Sequence, residues 1–499
     1  MPDPLPLIVG VYGRKASRPM LAHLRRTNPA GILLLSRNIE SAGQVRALLE
    51  EINFRLGRRL IASIDHEGGW VVRFKKIVTA FPGNAALGRA GDPALARAVG
   101  RRMAEELRGL GITLNLAPVL DVLGTKYNPG ILIRSFGGDA ALCARMGAAF
   151  VRGLQDNGVW ACAKHFPGKG EARKDAHYAL PVIRISRAEI ARHLKPFEAA
   201  MRSGVSCVMS SHIVLPALDS QPATFSEPII RGILRRKMNY SGVIVSDDLG
   251  MAGAITKRSV PQAAQDALKA GHDLLIVSHD EAVQTRTAEA LEETLDRPEA
   301  RAAAQESLGR FEVLARPRNA PAQKSRHSSG PRDLDLRIAR RAASVVRAGA
   351  LRLPLKNLSG PPLIILPDFR EVTALFCLEN GPGGPARFVK NLLRRVDFTL
   401  AQAPVVSAAP EKLSQLRDKI ARAPAVVFFC FEAMRFAGQR AALDLVSRTA
   451  PSKTAVCLIR NPWDLDLAPV AATVIDALGF RNCQLRAALE LIFGRGRLS

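Results

Sequence analysis

The stretch that decides the fold is "GVIVSDD", Gly242–Asp248, in which an unbroken Val-Ile-Val run is followed, after one serine, by two carboxylates. Such a run without polar alternation is typical of a parallel strand buried on both faces. Seven comparable runs share the first 280 residues with it, separated by stretches of helical periodicity: "LIVGVYG", "GILLLS", "LIASIDH", "ITLNLAPVLD", "WACAKHF", "CVMSSH" and "DLLIVSHD". Eight strands alternating with helices predict an α/β fold, the (β/α)8 TIM barrel.

Polar side chains collect at the ends of these runs. Asp65, Asp121, Lys164, His165 and Asp247 all stand at or just after the last apolar residue of a predicted strand. In a parallel barrel the carboxyl ends of all strands open on one face, where the loops build an active site. The sequence therefore predicts an active site on that face.

The remainder of the chain predicts a second domain. The composition changes to "ARPRNAPAQKSRHSSGPRD", which has no apolar period and reads as a linker. Strand candidates "PLIILPD", "AVVFFCF", "TAVCLIR" and "TVIDALG" follow, again separated by helical stretches. We expect a barrel domain at 1–315, a linker at 316–333 and a smaller layered α/β domain at 334–499.

The charge balance does not by itself identify a partner. The chain has 71 basic and 45 acidic residues, a formal charge of +26, which would suit an anionic partner. The basic residues are scattered, however, and only 3 Trp and 4 Tyr are available to stack on bases. We interpret the charge as solvated helix faces and expect no nucleic-acid partner.

The sequence also limits location and cofactors. No apolar run approaches the roughly 20 residues of a membrane span, and the N-terminus lacks the positive charge of a secretory signal, so we expect a cytoplasmic protein with no membrane span. The cysteines lack C-x-x-C spacing, which argues against a zinc site, and we expect neither a metal nor an organic cofactor. The seven cysteines are Cys143, Cys162, Cys207, Cys377, Cys430, Cys457 and Cys483.

Two short patterns carry ionisable groups suited to catalysis. One carboxylate of Asp247 and Asp248 must face the barrel mouth, where it can act as nucleophile, base or ligand, although either residue could instead cap the next helix. In "KDAHYALP", Asp175 and His177 stand two apart in a loop, so the carboxylate can orient the imidazole for proton transfer. The alternative is a surface polar pair.

A third group suits the recognition of a polar ligand. Asp65 and Arg73 belong to "SIDHEGGWVVRF", and Arg134 lies in the glycine-flanked "NPGILIRSFGGD". Arginine and aspartate converging on a cleft can hold sugar hydroxyls or a carboxylate. They could equally form structural ion pairs.

Taken together, these motifs resemble a known family. "GILLLSRNIES", "DHEGGWVVRF", "LNLAPVLDV", "IRSFG", "KHFPGKGE…DAH…LP", "SSHIVLPALDSQPATFS" and "GVIVSDDLGMAGA" occur in one order at successive strand ends. This series resembles the β-N-acetylhexosaminidases of glycoside hydrolase family 3 over nearly all of 1–310. "LIRNPWDLDL" and "DALGFRNCQLRAALELIFGRG" look like the end of the second domain in the longer members.

The resemblance implies a retaining exo-β-N-acetylglucosaminidase acting on muropeptide or chitooligosaccharide substrates in peptidoglycan recycling. It matches Asp247 to the nucleophile and His177, with Asp175, to the acid/base dyad; most retaining glycosidases use two carboxylates instead. It matches a further set of residues to the N-acetylglucosamine site: Asp65, Arg73, Arg134, Lys164 and His165.

The chain departs from the family's usual loop at three positions. That loop reads "KHFPGHGD" followed by Thr or Ser, whereas this chain has Lys169, Glu171 and Ala172. Lys169 could disfavour the cationic form of His177 or bind an anionic substituent of the substrate. These differences concern aglycone preference and loop behaviour more than the chemistry, since the Asp175 and His177 spacing is intact.

Four rival functions remain open at this point. A phosphorylase of the same family would use phosphate in place of water, and a Schiff-base aldolase or lyase would use Lys164 at its strand end. A β-glucosidase of this family takes its acid from a glutamate in the second domain and lacks the D-x-H loop. A sugar-binding module without turnover would account for Lys169 and Glu171.

Overall fold

The computed structural model describes residues 3–74, 77–318, 333–372, 381 and 383–498. It divides into two compact units. The first comprises residues 1–67, 91–131 and 135–328, and the second comprises 68–90, 132–134 and 329–499. Most of the predicted linker, 319–332, and Cys377 lie outside the described residues.

In the described part of the first unit, eight parallel strands close into a barrel in sequential order, as the alternating pattern predicted. Each strand overlaps one predicted run. The strands are β1 (Leu5–Gly10), β2 (Pro29–Leu34), β3 (Ile61–Ile64), β4 (Leu114–Asn115), β5 (Trp160–Phe166), β6 (Cys207–Ser210), β7 (Val243–Asp248) and β8 (Leu274–Val277).

Helices separate the strands up to the end of the barrel. In chain order they are α1 (Arg18–Thr27), α2 (Ala42–Leu56), α3 (Asn84–Ala90), α4 (Pro93–Gly109), α5 (Ala140–Gln155), α6 (Arg187–Arg202), α7 (Ala252–Ile255), α8 (Val260–Ala270), α9 (Glu281–Leu295) and α10 (Pro298–Phe311). Shorter 3-10 turns cover Ser36–Asn38, Leu132–Arg134, Ala223–Phe225 and Glu312–Ala315, and a π-helical segment covers Pro228–Lys237.

β4 is much shorter than the predicted run "ITLNLAPVLD". Pro118 interrupts its ladder because proline has no backbone N–H to donate. The chain nevertheless continues beside β5, where Leu120 N donates to Lys164 O (2.5 Å) and Lys164 N donates to Pro118 O (3.1 Å). This pairing brings Asp121 alongside the end of β5.

The second unit contains a six-stranded sheet in the order β11-β10-β12-β13-β14-β9, parallel except for β9. Its strands are β9 (Ser344–Arg347), β10 (Leu363–Pro367), β11 (Thr399–Ala403), β12 (Val426–Cys430), β13 (Thr454–Leu458) and β14 (Thr473–Asp476). Its helices beyond residue 333 are α11 (Leu334–Ala342), α12 (Gly384–Leu392), α13 (Pro410–Arg422), α14 (Ala437–Thr449) and α15 (Asn482–Phe493). Its 3-10 turns there are Phe369–Val372, Pro451–Lys453, Pro462–Leu467 and Arg495–Arg497.

Both faces of this sheet are buried. Ile364 and Leu366 of β10 pack into one apolar cluster, and Leu363 and Ile365 pack into a cluster on the other face. Two-sided burial explains why the four inner strands read as continuous apolar runs. None of the helices in the described ranges combines the length and apolar character that crossing a bilayer requires.

Residues 68–90 belong to the second unit although they follow β3 of the barrel. Trp70 packs against the rings of Phe431 and Phe480, with centroids 6.2 and 5.8 Å away. The Arg460 guanidinium lies 3.9 Å from the centroid of the Trp70 ring, and Arg481 Nε donates to Gly69 O (2.6 Å). Stacking and charge-assisted hydrogen bonding therefore hold this segment in the second unit.

Close helix packing gives a test of the barrel. α4 and α5 approach at glycines: a Cβ on Gly100 would lie 2.5 Å from Phe150 O, and one on Gly153 would overlap Arg97 O. Gly153→Ala should therefore lower the free energy of unfolding by about 1–3 kcal/mol through overpacking. Gly43→Ala on α2, where nothing lies within 4 Å, should be neutral or slightly stabilising. Thermal unfolding of both variants checks this, and equal midpoints would contradict it.

Candidate active site

Lys164 lies near the end of β5 in an acidic environment. Its Nζ lies 2.6 Å from Asp65 Oδ1 and 2.7 Å from Glu67 Oε1. Lys164 and Glu67 are buried, whereas Asp65 is half-buried. The two carboxylates stabilise the positive charge of this buried lysine and fix the direction of its side chain.

Asp121 organises the chain that follows β5. It is fully buried, and its Oδ2 lies 2.7 Å from His165 Nδ1. Its Oδ1 accepts the backbone N–H of Lys169 (2.6 Å). A carboxylate acceptor selects the Nδ1–H form of His165 and leaves Nε2 for another partner.

Asp175 and His177 form the pair that their spacing suggested. His177 Nδ1 lies 2.6 Å from Asp175 Oδ1, which also accepts the His177 backbone N–H (3.0 Å). Burial raises the pKa of Asp175, but the hydrogen bond and charge of His177 outweigh burial, so the pKa lies well below its usual value. His177 itself is exposed, so an ionised carboxylate orients an accessible imidazole.

The loop that carries this pair is attached to the segment after β7. Gly253 N donates to Ala176 O (2.9 Å), between Asp175 and His177. A Cβ on Gly253 would lie 3.1 Å from Ala176 O, so the approach is close. The His177 loop and the chain that follows Asp247 are thereby joined through the backbone.

Asp247 and Asp248 have different surroundings. Asp247 Oδ1 accepts the backbone N–H of Asp248 (2.9 Å), while Oδ2 is buried and accepts no hydrogen bond from any residue in the described ranges. Asp248 accepts from Ser278 Oγ and from Gly250 N (2.9 Å). The N-cap of α7 is Met251, so Asp248 braces the turn and the end of β8 instead of capping that helix.

Basic side chains surround Asp247. Burial raises the pKa of its carboxyl, but Lys169 first, and then His212, His177 and Lys164, outweigh burial, so the pKa lies below its usual value. Lys169 Nζ lies 3.9 Å from Asp247 Oδ2. The arrangement presents an ionised carboxylate with one oxygen that accepts no hydrogen bond from the described residues.

The three positions that depart from the family loop are held in place. Lys169 and Ala172 are buried. Glu171 Oε1 lies 3.7 Å from His193 Nε2; burial raises the pKa of Glu171 and lowers that of His193 to about 4. Gly124 contacts the Glu171 carboxylate so closely that a Cβ there would overlap it.

The two predicted arginines belong to the other unit. Arg73 lies in 68–90 and Arg134 in the 3-10 turn Leu132–Arg134, and both are half-buried. Asn84 Nδ2 of α3 donates to Arg134 O (2.8 Å), which ties this turn to the segment that carries Arg73. The other predicted residues belong to the barrel unit.

The sequence reasoning gave no role to three residues of the site. Glu67 stands two residues after Asp65, a spacing that could have indicated a second carboxylate at this strand end. Asp121 was noted only as a polar residue at a strand end. His212, fully buried, bonds Thr224 Oγ1 (2.9 Å) and Asp248 O (3.0 Å), and no local pattern marks those partners.

The described residues show no cluster with metal-ligand character: among them, no group of three or more His, Cys, Asp or Glu side chains could hold an ion. The six cysteines in these ranges are buried and free of disulfides. The ionisable groups of the site are instead paired with one another.

Comparisons with known proteins identify the family of the first unit. Residues 8–311 match the family model described as the glycosyl hydrolase family 3 N terminal domain. A β-hexosaminidase from Thioalkalivibrio sulfidiphilus is 38% identical over 288 residues, which cover 56% of this chain and 82% of that protein.

Solved structures extend the likeness to the second unit. A glycoside hydrolase family 3 β-N-acetylglucosaminidase from Paenibacillus sp. str. FPU-7 is 29% identical with a TM-score of 0.88, covering 99% of this chain and 95% of that one. A β-glucoside phosphorylase is 20% identical with a TM-score of 0.78, covering 99% and 92%, and shares the fold. The chain belongs to glycosyl hydrolase family 3, and it is a glycoside hydrolase.

Proposed function

We propose that this enzyme is a retaining exo-β-N-acetylglucosaminidase that acts through a covalent glycosyl-Asp247 intermediate. One observation carries the proposal: the Gly253 N to Ala176 O hydrogen bond joins the Asp175 and His177 loop to the chain that follows Asp247. A nucleophile and a proton-transfer group are thus provided by adjoining segments, as the two steps of a retaining mechanism require. The names of the similar proteins support the class of substrate.

In the first step, Asp247 Oδ2 attacks the anomeric carbon and the bond to the leaving oxygen breaks. Oδ2 suits this role because it accepts no hydrogen bond from a described residue, so attack breaks no existing hydrogen bond. The Asp247 side chain as a whole is 16% exposed. The lowered pKa of Asp247 keeps the carboxylate ionised at neutral pH. Attack by a carboxylate forms the glycosyl ester.

His177 gives a proton to the leaving oxygen and then takes one from the attacking water. Asp175 holds Nδ1, so Nε2 carries the transferable proton. The exposure of His177 suits a group that must meet both the leaving group and water. Asp175 stabilises the imidazolium before the first step and orients the ring for the second.

The sugar site is proposed to include the predicted positioning residues. Lys164 and His165 are fixed by carboxylates, and this gives their remaining hydrogen-bonding capacity a defined direction. In the barrel unit, the residues proposed to bind the N-acetylglucosamine ring are Asp65, Lys164 and His165. For Arg73 and Arg134, contact with the sugar stays a prediction from the family resemblance. Muropeptide or chitooligosaccharide fragments and a cytoplasmic role in peptidoglycan recycling follow from the family resemblance.

A Schiff-base mechanism on Lys164 is disfavoured by its contacts. Two carboxylate oxygens lie 2.6 and 2.7 Å from Nζ and favour the ammonium, whereas imine formation needs the neutral amine. A phosphorylase remains a candidate, because a histidine acid/base paired with Asp175 would repel an incoming phosphate less than a carboxylate acid/base would.

Asparagine substitution tests the choice of nucleophile. Asp247→Asn should lower kcat on 4-nitrophenyl N-acetyl-β-glucosaminide more than about 10³-fold, because the amide cannot form the ester. Asp248→Asn, the adjacent control, should lose less than about tenfold since Asp248 braces Ser278 and Gly250. The nucleophile assignment fails if Asp248→Asn loses more activity than Asp247→Asn.

Leaving-group dependence tests the acid. His177→Ala should lower kcat/KM about 10²–10⁴-fold on N,N′-diacetylchitobiose, whose leaving oxygen needs a proton. On a 2,4-dinitrophenyl glycoside the loss should stay below about tenfold, because that group departs without protonation. Asp175→Asn should show the same pattern with smaller losses. Equal losses on both substrates would argue against a proton-transfer role.

Product analysis separates the two family activities. Incubation of the wild-type enzyme with substrate and an excess of phosphate, about 50 mM, should release N-acetylglucosamine at the rate seen without phosphate. Anomeric proton spectra should show the β-anomer first, as retention requires. A glycosyl phosphate as the main product would replace hydrolysis with phosphorolysis.

A further inference from the structure

The backbone at Lys169 is held from both sides. Its N–H donates to the buried Asp121 carboxylate (2.6 Å), and its carbonyl oxygen accepts from Asn128 Nδ2 (2.7 Å). Gly168 adopts φ +116°, and a Cβ on Gly170 would overlap Val122 O. The lysine side chain therefore leaves the loop from a fixed point.

The side chain of Lys169 runs inward. Lys169 is 5% exposed, and its Nζ lies 3.9 Å from Asp247 Oδ2. This separation is too long for a hydrogen bond but short enough for a strong electrostatic interaction, because burial weakens solvent screening. Lys169 can thus stabilise the charge of Oδ2 without using the lone pair that would attack a substrate.

The other ionisable groups around Asp247 are less able to fill this role. Lys164 is engaged by Asp65 and Glu67. Burial lowers the pKa of His212, which favours its neutral form. Of the other ionisable neighbours, His177 on the loop is exposed and paired with Asp175, and Asp248 on β7 has the same charge as Asp247.

We propose that Lys169 is a positioning residue that acts through Asp247, keeping its carboxylate ionised for attack and assisting its departure when the glycosyl-enzyme is hydrolysed. This rests on the proposed role of Asp247 as nucleophile. In the first step the Asp247 Oδ2–C1 bond forms, the C1–O bond to the aglycone breaks, and His177 protonates the leaving oxygen.

The second step depends more on Lys169. Water attacks C1, His177 takes its proton, and the C1–Oδ2 bond breaks with its electron pair returning to Asp247. The ester is neutral and the departing carboxylate is anionic, so a buried ammonium 3.9 Å from Oδ2 favours the products of this step over the ester. Removal of the charge should therefore slow hydrolysis of the intermediate.

Two substitutions and a control test the proposal. Lys169→Met removes the charge at similar length, Lys169→Arg keeps it, and Lys195→Met removes an exposed charge on α6. Folding of each variant is checked by circular dichroism, and kcat/KM is measured from pH 4 to 9, roughly the range in which groups tuned for acid/base catalysis titrate. Release of 2,4-dinitrophenol is followed on the millisecond scale for a burst.

For Lys169→Met, the acidic limb of kcat/KM should move up by about one to three pH units. When the Lys169 ammonium is absent, burial raises the pKa of Asp247, so the carboxyl group ionises only at a higher pH. Its steady-state kcat on the dinitrophenyl substrate should fall at least about tenfold, with a stoichiometric burst that shows accumulated intermediate. Lys169→Arg should keep the wild-type limb, as should Lys195→Met.

The proposal is overturned if Lys169→Met has the same acidic limb as wild type and shows no burst. Should Lys169→Met not fold, a second uncharged variant, Lys169→Gln, takes its place. The proposal is then overturned if Lys169→Gln and Lys169→Arg share one acidic limb and show no burst. Failure of the proposed function would look different. In that case wild type would not hydrolyse the substrate, or Asp247→Asn would retain its rate, whatever Lys169 does.

Discussion

The site depends on one buried carboxylate, that of Asp121. Its two oxygens bind His165 Nδ1 and the Lys169 backbone N–H, so it joins the chain after β4 to the end of β5 and to the start of the loop that follows β5. A fully buried carboxylate oxygen without a hydrogen bond would destabilise the fold. The two hydrogen-bond donors of Asp121 are therefore held firmly in position. The orientation of His165 and the point from which the Lys169 side chain starts both follow from this carboxylate.

Charge is distributed unevenly around this framework. Lys164 is neutralised by two carboxylates, whereas Asp247 lies beside a buried lysine at 3.9 Å and keeps one oxygen free of hydrogen bonds from described residues. The Asp175 carboxylate is paired with the exposed imidazole of His177. A fixed nucleophile and an accessible proton carrier are what two-step glycoside hydrolysis needs from separate parts of a site.

The barrel was predictable because strands buried on both faces leave apolar runs that end in polar residues. The edge strands β9 and β11 were missed: Ser344–Arg347 offers only two apolar residues, and Thr399–Ala403 contains a glutamine and two alanines, which are weak strand formers. Long-range partners left no local signal, which is why the pairing of Lys164 with Glu67 was not anticipated. The predicted domain limits at 315 and 334 follow composition and stay a prediction, while the spatial grouping of 68–90 with the second unit depends on contacts such as that of Arg460 with Trp70.

The central claim is that Asp247 forms the covalent bond to the sugar. Its most direct test is to incubate the enzyme with 5-fluoro-N-acetylglucosaminyl fluoride, whose good leaving group permits the first step while the ring fluorine slows the second. Peptide mapping by mass spectrometry should then locate one glycosyl unit on Asp247, and Asp247→Asn should stay unlabelled. A label on another side chain, or turnover that releases the inverted anomer with no label, would contradict the account.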